Sequence, residues 1–98
     1  MKILIKNGLI VDGSLNKPYK GDLLIEQDKI KKIGTIEEKV DIVIDAESKV
    51  VSPGFIDTHS HSDLSILVNP YNEIKIKQGV TTEILGQDGI SMAPLPKE

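Results

Sequence analysis

The chain opens with short runs of β-branched and aliphatic residues separated by polar turn residues. Lys2–Lys6 is such a run, and the Asn7-Gly8 pair after it tolerates positive φ at both positions, which predicts a tight hairpin. Leu9-Ile10-Val11 runs into Asp12-Gly13, a second turn signal of the same kind, and Ser14–Lys20, with Pro18, reads as a loop. Asp22–Glu26 and Lys29–Ile33 read as a hairpin about Gln27-Asp28. Asp41–Asp45 alternates so that Ile42 and Ile44 share a face, where both are expected to be buried, and Lys49–Ser52 adds a further strand. The pattern predicts a small antiparallel β layer from Lys2 to Ser52. Periodicity alone does not choose between a sandwich and a barrel.

The pattern changes at Pro53-Gly54. Phe55-Ile56-Asp57-Thr58 reads as a strand leading into His59-Ser60-His61, and Leu64–Val68 is an apolar run ended by Asn69-Pro70. Asn72–Gln78 predicts a short helix with Asn72 as its cap and Gly79 at the C-terminal position that favours positive φ. Val80–Leu85 is a second strand, followed by a turn at Gly86-Gln87-Asp88-Gly89. Strand, helix, strand over this span is a βαβ unit, which requires parallel pairing and a right-handed crossover. The expected organisation is therefore a β portion over 1–52 and the start of an α/β barrel over 53–98. A complete βα barrel takes about 250 residues, and Ser91–Glu98, with Pro94 and Pro96, is a poor end for one. The sequence looks cut.

Composition narrows the function classes. At 98 residues, 39% hydrophobic and 28% charged, the chain is ordinary globular material, and with 3% aromatics its core must be aliphatic. A formal charge of −3 offers no basic patch for nucleic acid. The absence of cysteine rules out disulfides and thiolate metal sites and suits a reducing cytoplasm. No apolar run approaches the ~20 residues of a membrane span, and the apolar stretch in Met1–Lys6 is too short for a signal-peptide core. A soluble cytoplasmic protein without membrane or nucleic-acid partners is expected.

Chemistry concentrates in one place. His59 and His61 are the chain's two histidines, and a spacing of two on or just after a strand sends both imidazoles from one face. Two such nitrogens can converge on one cation at about 2.0–2.1 Å each. Asp57 shares their parity, and the C-terminal end of a βαβ strand is where βα barrels place catalytic groups. A pair of exposed histidines without a ligand is the alternative. Asp63, at the same spacing, either hydrogen-bonds the site or caps the following apolar run. Asp12, Asp22, Asp28, Asp41 and Asp45 fit solvated turn positions, and Lys29, Lys31 and Lys32 a solvated strand face.

Pro53-Gly54-Phe55-Ile56-Asp57-Thr58-His59-Ser60-His61 resembles the first-strand metal motif of the amidohydrolase superfamily. Gln78-Gly79-Val80-Thr81-Thr82-Glu83-Ile84-Leu85-Gly86-Gln87-Asp88-Gly89-Ile90-Ser91-Met92-Ala93-Pro94-Leu95 is similar to the corresponding stretch of the N-acyl-D-amino-acid deacylases, or D-aminoacylases. The resemblance covers essentially the whole chain, because these enzymes begin with a small β-sandwich and continue into a TIM-like metal-dependent hydrolase barrel. It implies that His59 and His61 bind the more loosely held metal, and that Asp57 hydrogen-bonds beside them rather than coordinating. Asp88 falls where D-aminoacylases carry a metal-ligating cysteine. That departure exchanges a soft thiolate for a hard carboxylate, so zinc becomes a default divalent ion rather than a certainty. The other reading of Asp88 is a turn residue before Gly89.

The activity implied by the resemblance is hydrolysis of the N-acyl bond of an N-acyl-D-amino acid by a divalent cation that activates water and polarises the carbonyl. The general base, the remaining ligands and the substrate-carboxylate clamp would come from later strands, so no catalytic residue is assigned here and the isolated chain is expected to be inactive. Uncovered strand faces around Phe55-Ile56 and Val80–Leu85 lead to an expectation of self-association. A cyclic-amide hydrolase of the dihydroorotase or hydantoinase kind would share the first motif. A non-enzymatic β binding module is the further alternative.

Overall fold

The computed structural model describes residues 1–91. Residues 92–98, with Pro94 and Pro96, lie outside the described residues, and so does the expectation about the chain's end. The chain divides into two compact units, Met1–Pro53 and Gly54–Glu98. Among the described residues no helix is long and apolar enough to cross a membrane.

The first unit is one mixed sheet. Its strands are β1 (Lys2–Ile10), β2 (Tyr19–Glu26), β3 (Lys29–Gly34), β4 (Ile42–Asp45) and β5 (Val50–Val51). β1 pairs antiparallel with β2, and β2 with β3, across the Gln27-Asp28 hairpin. β4 and β5 instead run parallel to β1, pairing Ile3 with Ile42 and Leu9 with Val50. The layer is thus not purely antiparallel. Residues 35–41 carry the chain back across the sheet before β4, and that return sets the parallel direction.

Asn7-Gly8 is not a hairpin turn. It lies inside the nine-residue β1 as a bulge, with a register shift against β2 between Ile5 and Gly8. Asn7 has φ 56°, so the left-handed tolerance that suggests a turn is spent on bending a continuous strand. Its N–H donates to the Asp22 carboxylate at 2.9 Å, and its side-chain amide donates to Asp45 at 3.0 Å. A side chain at position 8 would place its Cβ 2.7 Å from Val51 Cγ2, which explains the glycine there. Asp22 also accepts the Ile36 N–H at 3.2 Å and is buried, so it is a structural acceptor and not a solvated turn residue.

The core is Leu4, Leu24 and Ile36, with Val40 packed against it. Burying each of the larger members contributes about 1.5–3 kcal/mol. Ile42 and Ile44 lie outside it, at 42% and 49% exposure. They do share a face, as alternation requires, but β4 is a four-residue flanking strand and nothing in the first unit covers that face. Central-strand leucines and the residue that folds over them, Ile36, take the buried positions instead.

The second unit is the βαβ unit. β6 (Phe55–Asp57) pairs parallel with β7 (Val80–Glu83), and the connection holds α1 (Ser65–Val68) and α2 (Glu73–Lys77). Gly79 ends α2 with φ 84°. Gly54 admits close approach of β7, since a Cβ there would meet the Thr81 side chain at 2.2 Å. Asn72 does not cap α2 through its side chain. It takes φ 42°, and its amide donates across to Glu83 at 2.6 Å.

Candidate metal centre

β6 and β7 end in register, Asp57 opposite Glu83. The pairing continues briefly beyond them, with Ile84 N–H donating to Asp57 O at 2.8 Å and Ser60 N–H to Ile84 O at 3.3 Å. Two loops therefore leave the same end of the strand pair. One carries His59 and His61. The other is the short 3₁₀ turn Gln87–Gly89, which carries Asp88. Gly86 (φ 80°), Asp88 (φ 54°) and Gly89 (φ 79°) all adopt the left-handed region, and this tight reversal turns the Asp88 carboxylate back toward the histidines.

Asp88 Oδ2 lies 2.9 Å from His59 Nε2 and 3.2 Å from His61 Nε2. The ring centroids are 5.2 Å apart at an interplanar angle of 63°. One ligand atom from each residue lies within 4.8 Å of the others. Ligands placed tetrahedrally about 2.05 Å from a zinc ion are about 3.3 Å apart, so the carboxylate already sits close to a shared coordination sphere with each imidazole. The donor set of two imidazoles and a carboxylate fits a divalent cation such as zinc. The three side chains are between 46% and 66% exposed, so the site is open.

Asp57 and Asp63 stand outside this cluster. Asp57 Oδ1 accepts the His59 N–H at 3.2 Å, while Oδ2 is ion-paired with the Lys75 ammonium. That ammonium, followed by the His59 N–H, holds the Asp57 carboxyl below the usual carboxylate range. Asp63 is buried, and it accepts the Gly86 N–H at 3.1 Å through Oδ1, while Oδ2 has no partner among the described residues. It therefore ties down the start of the Asp88 turn. It does not cap α1, whose N-cap position is Leu64.

Sequence reasoning missed the residues beneath the histidines. Glu83 accepts the Ser60 hydroxyl at 2.6 Å, the Ser62 hydroxyl at 3.0 Å and the Asn72 amide, and pairs with Lys75 at 3.1 Å. The Ser60 hydroxyl foremost, then Lys75 and Ser62, lower the Glu83 pKa against the opposing effect of burial. Lys75 in turn is raised by Asp57 first and Glu83 second. Ser60 is buried and Ser62 half-buried where the two histidines beside them are exposed, and no pattern in the sequence marks that difference.

Residues 42–97 match the amidohydrolase family, a span that takes in both motifs. The chain belongs to the amidohydrolase family. Within it, the chain is 37% identical over 97 residues to an N-acyl-D-glutamate deacylase of Alcaligenes xylosoxydans xylosoxydans, covering 98% of this chain and 20% of that protein. A D-aminoacylase of the same organism is 39% identical over 94 residues, covering 95% and 19% respectively. The crystal structure of N-acyl-D-glutamate deacylase from Bordetella bronchiseptica, complexed with zinc and a phosphonate mimic of the tetrahedral intermediate, superposes with a TM-score of 0.90 at 36% identity. That superposition covers 97% of this chain and 20% of the crystallised one. The fold is accordingly mainly β with a partial α/β part, as in the corresponding region of these deacylases. The chain spans about a fifth of the length of the relatives it matches.

Proposed function

We propose that the protein containing this chain hydrolyses the N-acyl amide bond of N-acyl-D-amino acids, with His59, His61 and Asp88 contributing to a zinc centre. The observation that carries the proposal is the convergence of two imidazoles and a carboxylate at the end of a parallel strand pair. The deacylase relatives support the substrate class, since they match nearly the whole chain. The zinc in the Bordetella bronchiseptica enzyme supports the metal.

When bound, a divalent cation supplies Lewis acidity toward an acyl carbonyl and toward water. The chain's own residues hold and aim the ligands. His59 and His61 present Nε2 from one loop, and Asp88 brings a negative charge that offsets the cation and favours oxygen-tolerant ions. Residues 1–52 belong to the β-sandwich portion and 53–98 open the barrel. The described residues supply neither a general base nor a clamp for the substrate carboxylate, so the 98-residue chain by itself is inactive. Its exposed apolar residues favour self-association, and the cysteine-free, acidic composition suits a cytoplasmic protein that binds no nucleic acid.

The test is an assay of N-acetyl-D-glutamate, N-acetyl-D-leucine, their L-isomers and a hydantoin, with zinc supplied. A protein of the relatives' full length that contains this chain hydrolyses the D-substrates, and the 98-residue chain hydrolyses none. Preference for the L-isomers or the hydantoin would overturn the substrate assignment. Turnover by the 98-residue chain would overturn the account of the missing groups.

A further inference from the structure

The two strand ends beneath the histidines carry a charge arrangement that needs explanation. Asp57 and Glu83 are register partners on adjacent parallel strands, so two carboxylates face each other across one strand spacing, about 4.8 Å. Left alone, that pair is repulsive. The Lys75 ammonium sits against both, ion-paired with Asp57 and 3.1 Å from Glu83, and Ser60 Oγ lies 3.4 Å from it. Its side chain is 29% exposed, which leaves the pairing only partly screened by water.

Asp57 uses its remaining capacity on the loop that carries the histidines, and Glu83 divides its own between that loop and the Asn72 amide. Asp57 accepts the His59 N–H, and Glu83 accepts the hydroxyls of Ser60 and Ser62. The segment 59–62 therefore hangs from two acceptors that one cation bridges. Nothing in the ion pairs touches an imidazole. The lysine acts on the histidines through the backbone they share with these donors.

We propose that Lys75 is a positioning residue for the His59-x-His61 pair: it holds Asp57 and Glu83 together, and they fix the loop that aims both imidazoles at Asp88. The inference rests on the metal-centre reading, but part of its test needs no metal. Without the ammonium, the carboxylates separate, the loop loses its acceptors, and the imidazoles sample orientations that no longer share a sphere. Asn at position 57 would still accept the His59 N–H while removing one of the repelling charges. The effect of losing Lys75 must therefore shrink in the Asp57→Asn background, which a packing role for the lysine stem would not require.

The experiment compares the parent, Lys75→Met, Lys75→Arg, Asp57→Asn and the Asp57→Asn/Lys75→Met double variant. Amide exchange is measured in the metal-free proteins, and zinc affinity by chelator competition. Lys75→Met should lose at least tenfold protection at the His59 and Ser60 amides and at least tenfold zinc affinity, with β1–β2 amides unchanged. Lys75→Arg should stay within threefold of the parent in both. In the Asp57→Asn background the second loss should fall below threefold. Equal losses from Lys75→Met in both backgrounds, or unchanged exchange at positions 59 and 60, would overturn the proposal. If Lys75→Met does not fold, Lys75→Arg and the double variant decide it: a tenfold loss in the former, or in the latter relative to Asp57→Asn, overturns it. A parent that binds no zinc would instead overturn the metal centre, leaving the exchange results to settle the role of Lys75.

Discussion

At the scale of single residues, Asp88 is the residue on which the candidate metal centre turns. Its backbone lies in the left-handed region between two left-handed glycines, and only that reversal brings Oδ2 to both imidazoles. A plain turn residue needs the same backbone but not the same side-chain contacts. Asp88→Ala should therefore lower zinc affinity at least tenfold, measured by chelator competition, with the melting temperature within a degree or two of the parent. Asp88→Cys should keep measurable affinity and move preference toward softer ions such as cadmium, because thiolate replaces carboxylate. Parental zinc affinity in Asp88→Ala would reduce Asp88 to a turn residue.

At the scale of elements, the second unit is held at its strand ends by charge as much as by apolar packing. Glu83 accepts from three side chains besides pairing with Lys75, and its pKa is lowered from the ordinary value of 4.5, chiefly by the Ser60 hydroxyl. The sign follows from linkage. A carboxylate with a depressed folded-state pKa contributes stability that is present above its unfolded value and is lost as pH falls through the folded one. The βαβ unit should therefore loosen below about pH 4.5, seen as faster exchange at the β6 and β7 amides. Glu83→Gln should be weaker at neutral pH and should lack most of that acid-side loss. An identical pH profile in Glu83→Gln would remove Glu83 as its source. In the first unit, by contrast, the decisive element is β1. Its bulge at Asn7-Gly8 lets one strand serve β2, β4 and β5, and Asp22 takes up the N–H that the bulge releases.

At the scale of the whole molecule, large apolar side chains remain exposed in the second unit, among them Phe55, Ile56, Val68 and Ile74. Exposed apolar area of this kind drives association. The isolated 98-residue chain should show a concentration-dependent rise in mass by light scattering at tens of micromolar and above, and a monomer at all concentrations would refute that. Much of this architecture was legible from local pattern. The Gln27-Asp28 hairpin, the βαβ unit, the Gly79 helix end and the pairing of His59 with His61 rest on short-range rules of strand parity, turn chemistry and helix termination, whereas Asp88 entered as a candidate ligand only through the family resemblance. What those rules could not reach were the features set by partners distant in sequence. Asn7-Gly8 satisfies a turn and a bulge equally well, and pairing with Val50–Val51 and Asp22 made it a bulge. Ile42 and Ile44 share a face by alternation, but whether a face is buried depends on what lies over it. Asp57, Lys75 and Glu83 are ordinary charged residues until parallel pairing sets two of them side by side and the intervening helix supplies the third. Alternation and turn propensity act between neighbours in the chain, whereas burial and charge pairing act between neighbours in space, and only the fold makes those the same residues.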